Sequence, residues 1–472
     1  MRVLFLYLDT NSSGAPRIAP GVAFLSGYLK RNNIETDLCY INSSADEEYC
    51  INTLQNLKTD IVAVSSVTSS FPRAKHLIKR IKEEFPEVFT ICGGAHVSLC
   101  PEEISLTDGL DAICLGYGEE ALFELVQSIE KGKIDYGIKN LYFNVNGKII
   151  KNDLRVFCEK LEAYFPEDRA IFYKEFDRKG LEDTESQEFI FCRGCPFDCT
   201  YCSNHVLKTL GKGKYINYPE VETCIDDIKQ AMKVRKINRI SFHDDVFTLN
   251  KPWLRRFTEQ YAKEIGLPFM CNARIGNIDE DDIIMLKNAN CKRIIFGIES
   301  GNYYIRNTVL NKKIGSNSDI IRMYKLVQKY GIATLSQNLV GVPEENFERF
   351  YDTVKINAAI MPNSATISVY YPYPGTNLYK KAKADGLLKD GSSIGNQDFV
   401  EREESLFDLP EFSKEFIEYC AKHFKQMIFG EYVLMRLPLN KYIRKVIYSN
   451  HLFQRIFFSS IETVDKIRGS IH

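Results

Sequence analysis

The chain has 472 residues, and at roughly 100–200 residues per domain this length predicts two or three domains. Its 44% hydrophobic and 26% charged residues are typical of a folded globular protein and argue against disorder. A formal net charge of -1 lacks the broad positive field of a sequence-independent nucleic-acid binder. The 14 cysteines accompany an N-terminal apolar run too short for a signal peptide, and no window is apolar enough to span a membrane. We therefore expect a cytoplasmic protein whose clustered thiols serve metal or redox chemistry.

Residues 1–131 alternate short apolar runs with amphipathic stretches of helical spacing. Five runs are predicted to be strands: Val3–Leu8, Asp37–Ile41, Ile61–Ser65, Phe89–Cys92 and Ala112–Leu115. Strands alternating with helices indicate a parallel sheet covered on both faces, which is a doubly wound α/β domain of flavodoxin-like size. Ligands of such sheets bind beyond the carboxyl ends of the strands.

The segments that follow these strands are rich in glycine, hydroxyl and amide groups. They supply the candidate ligand-binding residues Asp9, Asn11, Gly14, Pro20, Gly21, Ser65, Ser66, Thr68, Gly93, Gly94, Gly116, Tyr117, Gly118 and Glu119. Glycine lets the backbone approach a ligand, and uncharged polar groups suit a large ligand with many amides. A nucleotide also fits, although Gly116-x-Gly118-x-x-Ala121 is only a weak dinucleotide motif because it follows the fifth strand. Ordinary strand-to-helix turns are the alternative.

This arrangement resembles the cobalamin-binding domain. Asp9-x-Asn11-x-x-Gly14, Ser65-x-Val67 and Gly93-Gly94 are similar to that family's D-x-H-x-x-G, S-x-L and G-G signature, in the same order. Asn11 replaces the histidine that coordinates cobalt, so the resemblance implies cobalamin bound without a histidine ligand from that loop. His96 is the other histidine predicted on this rim, and a histidine at the edge of the core is its simpler interpretation.

Residues 132–187 are predicted to form a connector with its own small ribbon, a β-hairpin around Asn146-Gly147. Residues 188–385 then repeat a strand-and-helix pattern six times. The predicted strands are Phe189–Cys192, Arg239–Phe242, Phe269–Asn272, Arg293–Gly297, Thr334–Val340 and Thr366–Tyr370. The pattern predicts a partial (β/α)6 barrel similar to a TIM barrel, with its chemistry at the carboxyl ends of the strands.

The first of these strands is followed by three cysteines with C-x3-C-x2-C spacing: Cys195, Cys199 and Cys202. Three thiolates on one short loop can hold three irons of a 4Fe-4S cluster and leave the fourth iron open. Zinc is the main alternative, but a structural zinc site needs four ligands, which here would require His205. Cys192 is predicted to be a packed thiol.

The triplet, with Tyr201 before its last cysteine, resembles the defining motif of the radical S-adenosylmethionine (SAM) superfamily. The later strand ends agree with that family. The resemblance implies a 4Fe-4S cluster whose open iron binds SAM. The residues that it assigns to SAM are Tyr201, Asp244, Asp245, Asn272, Arg274, Glu299, Ser300 and Gln337.

Together the two resemblances identify the chain as a member of the cobalamin-binding radical SAM enzymes. They imply transfer of a methyl group to an unactivated carbon through a 5′-deoxyadenosyl radical, with a flavodoxin or ferredoxin as reductant. A cyclisation or rearrangement without methyl transfer is the alternative reaction. A non-catalytic iron–sulfur carrier or cobalamin-binding protein is the alternative from another class.

Residues 386–472 are predicted to be mainly helical. Between Arg436 and Arg468 there are seven basic and two acidic residues, a local excess of 7 − 2 = +5. Two interpretations stay open: a helical cap over the substrate cavity, or peripheral contact with the anionic inner face of a membrane and a lipid-like rather than another small-molecule substrate.

Overall fold

The computed structural model describes residues 1–9, 16–181, 186–388 and 402–436, and these form two sheets with helices on their faces. The first sheet has seven strands in the order β2-β1-β3-β4-β5-β6-β7, and the second has six in the order β13-β12-β11-β10-β9-β8. The strands of the first sheet are β1 (Arg2–Leu8), β2 (Glu35–Ile41), β3 (Ile61–Ser65), β4 (Phe89–Gly93), β5 (Ala112–Cys114), β6 (Leu141–Val145) and β7 (Lys148–Lys151). Its helices are α1 (Pro20–Arg31), α2 (Ser44–Leu57), α3 (Phe71–Glu84), α4 (Ala95–Leu99), α5 (Glu103–Leu106) and α6 (Glu119–Glu130).

The first five strands run parallel in the order 2-1-3-4-5, which confirms the predicted flavodoxin-like domain. Successive side chains of a strand point to opposite faces, and β1 divides its apolar residues accordingly. Val3 and Phe5 pack with α1 and α6, whereas Leu4 and Leu6 pack with α2 and α3. Both faces of the sheet are therefore covered, as its nearly continuous apolar strands require.

The predicted hairpin forms, but it extends the first sheet instead of standing as a separate ribbon. β6 pairs antiparallel with β5, and β7 pairs antiparallel with β6. The following segment packs on the same domain, since Phe172 and Phe176 of α7 (Ala170–Lys179) belong to the core that lies on one face of the sheet. Lys148 and Lys151 at the ends of β7 are exposed. The limits drawn at residues 131, 187 and 385 stay predictions.

The second sheet is parallel throughout and consecutive in chain order. Its strands are β8 (Ser186–Phe189), β9 (Arg239–Phe242), β10 (Phe269–Ala273), β11 (Cys291–Glu299), β12 (Ala333–Val340) and β13 (Ser364–Val369). Its helices are α8 (Asn204–Leu207), α9 (Val221–Val234), α10 (Lys251–Glu264), α11 (Glu280–Asn288), α12 (Asn317–Lys329), α13 (Phe347–Ile360) and α14 (Asn377–Ala384). Among the described residues β8 and β13 do not pair, so the sheet is an open half-barrel, as predicted.

The first strand of this half-barrel lies earlier in the chain than predicted. We expected Phe189–Cys192, whereas β8 ends at Phe189. The carboxylate of Asp244 accepts hydrogen bonds from the backbone N–H groups of Phe191 and Cys192, at 3.0 Å and 2.5 Å. Because those donors are bound by a side chain, the chain leaves the sheet there and enters the cysteine loop.

Two described helices close the far end of the half-barrel. They are α15 (Lys414–Lys422) and α16 (Phe424–Arg436). Ile417, Cys420 and Met427 pack with residues of β12, β13 and α13 in one apolar cluster. The predicted basic stretch lies, apart from Arg436, outside the described residues. None of the described helices is long and apolar enough to cross a bilayer.

Candidate functional site

A cleft of about 380 Å³ lies between the two sheets and is lined by residues of both. Nine of the candidate residues of the first sheet line it: Pro20, Gly21, Ser65, Gly93, Gly94, Gly116, Tyr117, Gly118 and Glu119. The second sheet contributes the segment that leads into the cysteine loop, together with His243 and Asp245. The carboxyl ends of both sheets therefore face one another across this space.

Close backbone packing shapes the first side of the cleft. Gly94 has a φ of +102°, and a Cβ atom there would lie 2.4 Å from the carbonyl oxygen of Ser66. Only glycine fits this position without strain. Behind the rim, Phe5, Ala63 and Ile91 give the cleft an apolar floor. An apolar floor under a rim of backbone, hydroxyl and glycine positions fits cobalamin, whose large ring system is surrounded by amide groups.

Other candidates on this rim are used within the protein. Asp9 accepts a hydrogen bond from the hydroxyl of Tyr40. Ser66 and Thr68 are buried beside the cleft without lining it, and their contact with the ligand stays a prediction. Asn11 and Gly14 lie outside the described residues.

His96 is a core histidine, in agreement with its simpler interpretation. Its ring is buried, lies 4.1 Å from the ring of Phe71, and has Nδ1 at 3.3 Å from the hydroxyl of Thr68. Burial lowers the pKa of His96 to about 4, with a smaller contribution from Lys75, so the imidazole is neutral at physiological pH. Sequence position placed it on the rim, but the side chain turns into the core.

A buried ion pair joins the two sides of the cleft. Arg193, which follows β8, donates to the carboxylate of Glu119 at the start of α6, at 2.5 Å. The guanidinium also lies over the rings of Phe24, Tyr117 and Tyr164, at 4.6–5.0 Å from their centres. Arg193 stands two residues before Cys195, so the cysteine loop is tied directly to the rim of the first sheet.

The cysteine loop runs between β8 and α8 and is held by the segment after β11. The backbone N–H and the hydroxyl of Thr200 donate to the carbonyl oxygens of Leu310 and Val309. The side chain of Asn311 donates to the carbonyl oxygen of Asp198 at 2.8 Å. These contacts fix the loop in a defined conformation.

The three cysteines differ in their surroundings. Cys199 is buried, and its sulfur lies 3.8 Å from a guanidinium nitrogen of Arg274, whereas Cys195 and Cys202 are half-buried. Burial raises the pKa of Cys195 to about 12, so its free thiol is protonated at neutral pH. Binding of a metal cluster must therefore displace that proton.

The donor set fits an iron–sulfur cluster better than a zinc ion. Within the described ranges, no three or more His, Cys, Asp or Glu side chains converge as ligands of one metal ion. Zinc requires such convergence, whereas each cysteine of a cubane cluster binds a different iron. His205, the candidate fourth zinc ligand, instead accepts a hydrogen bond at Nε2 from the backbone of Asn377.

The two neighbouring aspartates after β9 have different places. Asp244 is completely buried and accepts hydrogen bonds from backbone N–H groups, and its contact with SAM stays a prediction. Burial raises the pKa of Asp244 to about 6 despite those hydrogen bonds. Asp245 lines the cleft and is exposed to it. Asn272 donates to the carbonyl oxygen of Asp244 and so supports the same turn.

Glu299 and Tyr201 meet at the end of β11. The hydroxyl of Tyr201 donates to Oε1 of Glu299 at 3.0 Å, and Lys312 donates to the same oxygen at 2.9 Å. Lys312 was not among the predicted residues, and no motif in the sequence singles it out.

The side chains of three other predicted SAM residues take no part in the contact between Tyr201, Lys312 and Glu299. Arg274 stacks on Phe197 and donates to the carbonyl oxygen of Lys312. Gln337 of β12 is exposed. Ser300 is fully buried and its carbonyl oxygen accepts a hydrogen bond from Arg306, so its contact with SAM stays a prediction.

Comparison with known protein families agrees with this geometry. The B12 binding domain family matches residues 10–126, which contain β2 to β5 and the glycine-rich segments of the rim. The Radical SAM superfamily matches residues 189–356, which begin at the end of β8 and extend into α13.

Curated relatives share most of the chain. An uncharacterized methyltransferase of Pyrococcus horikoshii is 27% identical over 403 residues, which cover 82% of this chain and 84% of that protein. The anaerobic magnesium-protoporphyrin IX monomethyl ester cyclase of Rubrivivax gelatinosus is 25% identical over 81% of this chain and 70% of its own length.

Among solved structures, the radical SAM methyltransferase TsrM from Kitasatospora setae, with cobalamin and a [4Fe-4S] cluster bound, has the same fold. The TM-score is 0.67 at 16% sequence identity, over 82% of this chain and 76% of that one. The two matched domains, their order and the cysteine loop beside a shared cleft show that the chain is a radical SAM enzyme with an N-terminal B12-binding domain.

Proposed function

We propose that this protein is a cobalamin-dependent radical SAM methyltransferase that acts on an unactivated carbon of a small-molecule substrate. The shared cleft carries the proposal, because the rim of the first sheet and the start of the cysteine loop line the same space. Group transfer between two cofactors requires them to face one cavity, and proximity of this kind supplies much of the rate of such a reaction. The methyltransferase among the curated relatives supports the same reaction.

The chain's own residues have separate tasks in this proposal. Cys195, Cys199 and Cys202 would hold the cluster, and Asp245 and Glu299 offer carboxylates for the ammonium and ribose groups of SAM. When bound, the cluster supplies the electron that opens the C–S bond of SAM, and cobalamin supplies the methyl group.

The remaining residues orient the reactants and limit access of water. Asp244 fixes the backbone that enters the cysteine loop. The Arg193–Glu119 pair and the rings around it fill the space between the two domains on one side of the cleft. A reaction through radicals needs such exclusion, since water and stray hydrogen donors lead to side products.

The electron comes from outside the chain, and a flavodoxin or ferredoxin is the proposed reductant. A lipid-like substrate and contact of the basic tail with a membrane belong to the same proposal as narrower alternatives.

Cyclisation or rearrangement without methyl transfer is the second candidate. The cyclase of Rubrivivax gelatinosus favours it, because its identity and coverage of this chain are close to those of the methyltransferase relative. The two reactions use the same cofactor set and differ in the fate of SAM.

Product analysis separates the candidates. The protein, reconstituted anaerobically with iron, sulfide and cobalamin, is incubated with SAM and dithionite, and nucleosides are measured by chromatography and mass spectrometry. Methyl transfer predicts both 5′-deoxyadenosine and cobalamin-dependent S-adenosylhomocysteine. The first product without the second would contradict methyl transfer and favour cyclisation or rearrangement. Absence of both would favour a non-catalytic binding protein.

A further inference from the structure

Lys312 places a positive charge inside the site proposed for SAM. The side chains of Lys312 and Glu299 are only 14% and 10% exposed, and Nζ lies 2.9 Å from Oε1 of Glu299. Nζ also lies 3.1 Å from the hydroxyl oxygen of Tyr201. Burial is the largest single influence and would lower the pKa of Lys312, but Glu299 and the nearby Cys199 together raise it above its ordinary value, so the ammonium is charged at neutral pH.

The backbone of β11 is shaped around this pair. Its pairing with β12 shifts register between Gly297 and Glu299, and Glu299 has a φ of +64°. A non-glycine residue in this region is strained, and such strain clusters at functional sites. A Cβ atom on Gly297 would lie 2.4 Å from Oε1 of Glu299 and 2.8 Å from Nζ of Lys312. The missing side chain of Gly297 therefore makes room for the ion pair.

The segment that carries Lys312 also forms hydrogen bonds with the cysteine loop. It follows a π-helix at Ile305–Val309, and its carbonyl and amide groups bind Asp198 and Thr200. Arg274, whose guanidinium lies beside the sulfur of Cys199, donates to the carbonyl oxygen of Lys312. Lys312 is thus fixed relative to both the cysteines and Glu299.

An ammonium has three N–H donors, and the described contacts account for two of them. Lys312 and Tyr201 both donate a hydrogen bond to Oε1 of Glu299. None of the described residues donates a hydrogen bond to Oε2. One donor of Lys312 and one acceptor of Glu299 consequently remain for a ligand beside the cysteine loop. A ligand with hydroxyl groups and a carboxylate matches that pair, and SAM has both.

We propose that Lys312 is a further SAM-binding residue, which holds Glu299 and Tyr201 in position and donates its third N–H to an oxygen of the bound SAM. This inference rests on the proposed function, since it takes SAM as the ligand. In this proposal, the absence of a side chain at Gly297 leaves room for the ion pair between Lys312 and Glu299.

Binding of SAM to the reconstituted protein, with its cluster oxidised and no reductant, tests the inference without any turnover. Anaerobic titration calorimetry gives the Kd. We expect Lys312→Met to raise the Kd about tenfold or more, because a hydrogen bond from a charged group is lost and Glu299 loses its partner. Gly297→Ala keeps both charges but displaces them, and we expect a rise in Kd of similar size.

Lys313→Met is the matched control. It removes the same charge one residue away, from an exposed side chain, and we expect its Kd to stay within about twofold of the wild-type value. Lys312→Arg keeps the charge and is expected to recover part of the affinity. Iron content and thermal midpoint are measured for every variant.

The outcomes distinguish a failure of the proposed function from a failure of the role given to Lys312. Wild-type protein that carries the cluster but binds no SAM overturns the proposed function and this inference with it. Wild-type binding together with an unchanged Kd in Lys312→Met overturns the inference alone. If Lys312→Met loses its iron, Gly297→Ala decides, because weaker SAM binding there supports the role of the pair and unchanged binding refutes it.

Discussion

The two sheets build their parts of the functional site with different chemistry. On the first sheet the rim is glycine, backbone and uncharged side chains apart from Glu119, and the closest fit is the backbone approach of Gly94 to Ser66. The second sheet instead brings charged groups into direct contact beside the cysteine loop, among them Glu299, Lys312 and Arg274.

Because the two parts differ in chemistry, different kinds of substitution should disable them. A binding site that depends on close packing is blocked when a substitution adds bulk. A binding site that depends on charges and thiols is lost when a substitution removes one of those groups. Substitutions of opposite kinds should therefore disable the two cofactors separately.

The largest effect is expected from removal of a cluster ligand. Cys199→Ala leaves two thiols, which cannot hold three irons, so we expect iron content to fall sharply and 5′-deoxyadenosine formation to drop below detection. Iron analysis and product chromatography measure both. Cobalamin uptake should be retained, because the first sheet is untouched.

Cys192→Ala is the comparison for that variant. Cys192 is a buried thiol only three residues before Cys195, yet it is outside the triplet, and we expect the cluster to form normally. Loss of iron in Cys192→Ala, or its retention in Cys199→Ala, would contradict the assignment of the ligands.

The next largest effect should come from added bulk on the first sheet. Gly94→Ala drives a methyl group against the carbonyl oxygen of Ser66 and strains a positive φ, so we expect cobalamin uptake to fall at least about tenfold. Spectroscopic titration with cobalamin measures it, and iron binding should persist. Gly180→Ala imposes a positive φ in open space and serves as the strain control. Normal uptake by Gly94→Ala would refute the role given to this rim.

A buried carboxyl in the second domain should make stability depend on pH. Glu345 is buried, accepts from the backbone of Gly341 at 2.8 Å, and has its pKa raised by burial from 4.5 to about 8. The folded state therefore keeps a proton that the unfolded chain releases, and stability is lost as pH rises from about 4.5 to 8. At about 1.4 kcal/mol per pKa unit, the loss of stability across this shift should be on the order of 5 kcal/mol.

Urea unfolding of wild type and Glu345→Gln across this range measures the effect. The glutamine keeps the acceptor for Gly341 and cannot ionise, so its unfolding midpoint should change less with pH. Parallel curves for the two proteins would contradict the prediction.

The smallest effect has the opposite sign and lies in the first domain. Since burial lowers the pKa of His96 from 6.5 to about 4, stability is retained above pH 6.5 and lost as pH falls toward 4. At about 1.4 kcal/mol per pKa unit, the expected loss of stability is about 3 kcal/mol, and His96→Gln should weaken this dependence in acid unfolding curves. A wild-type curve that is flat between pH 6.5 and 4 would show that His96 is accessible to protonation.

Most strands of both sheets could be predicted from the sequence, because buried parallel strands are short apolar runs and the turns between them are marked by glycine and polar residues. Ile61–Ser65 is predicted residue for residue. The strand that ends at Phe189 stops earlier than predicted, because the carboxylate of Asp244, 52 residues after Cys192, accepts the hydrogen bond of the Cys192 N–H group. Such a contact between distant residues leaves no local pattern.

The functional site, too, could be predicted from the sequence only in part. The cysteine triplet follows from spacing alone, since three thiols on one loop have few other uses. Lys312 could not be predicted, because its role depends on a register shift at Glu299 and on the space left by Gly297. His96 and Ser300 are correctly placed after strands, but the direction of each side chain depends on packing.

The antiparallel hairpin at the end of the first sheet has a consequence for the behaviour of the protein in concentrated solution. Among the described strands β7 is the last of that sheet, and a free sheet edge can add strands from other chains and start aggregation. Lys148 and Lys151 are exposed at its two ends, and their charges would have to be desolvated before another chain could pair there. The two lysines therefore oppose self-association through this edge of the sheet.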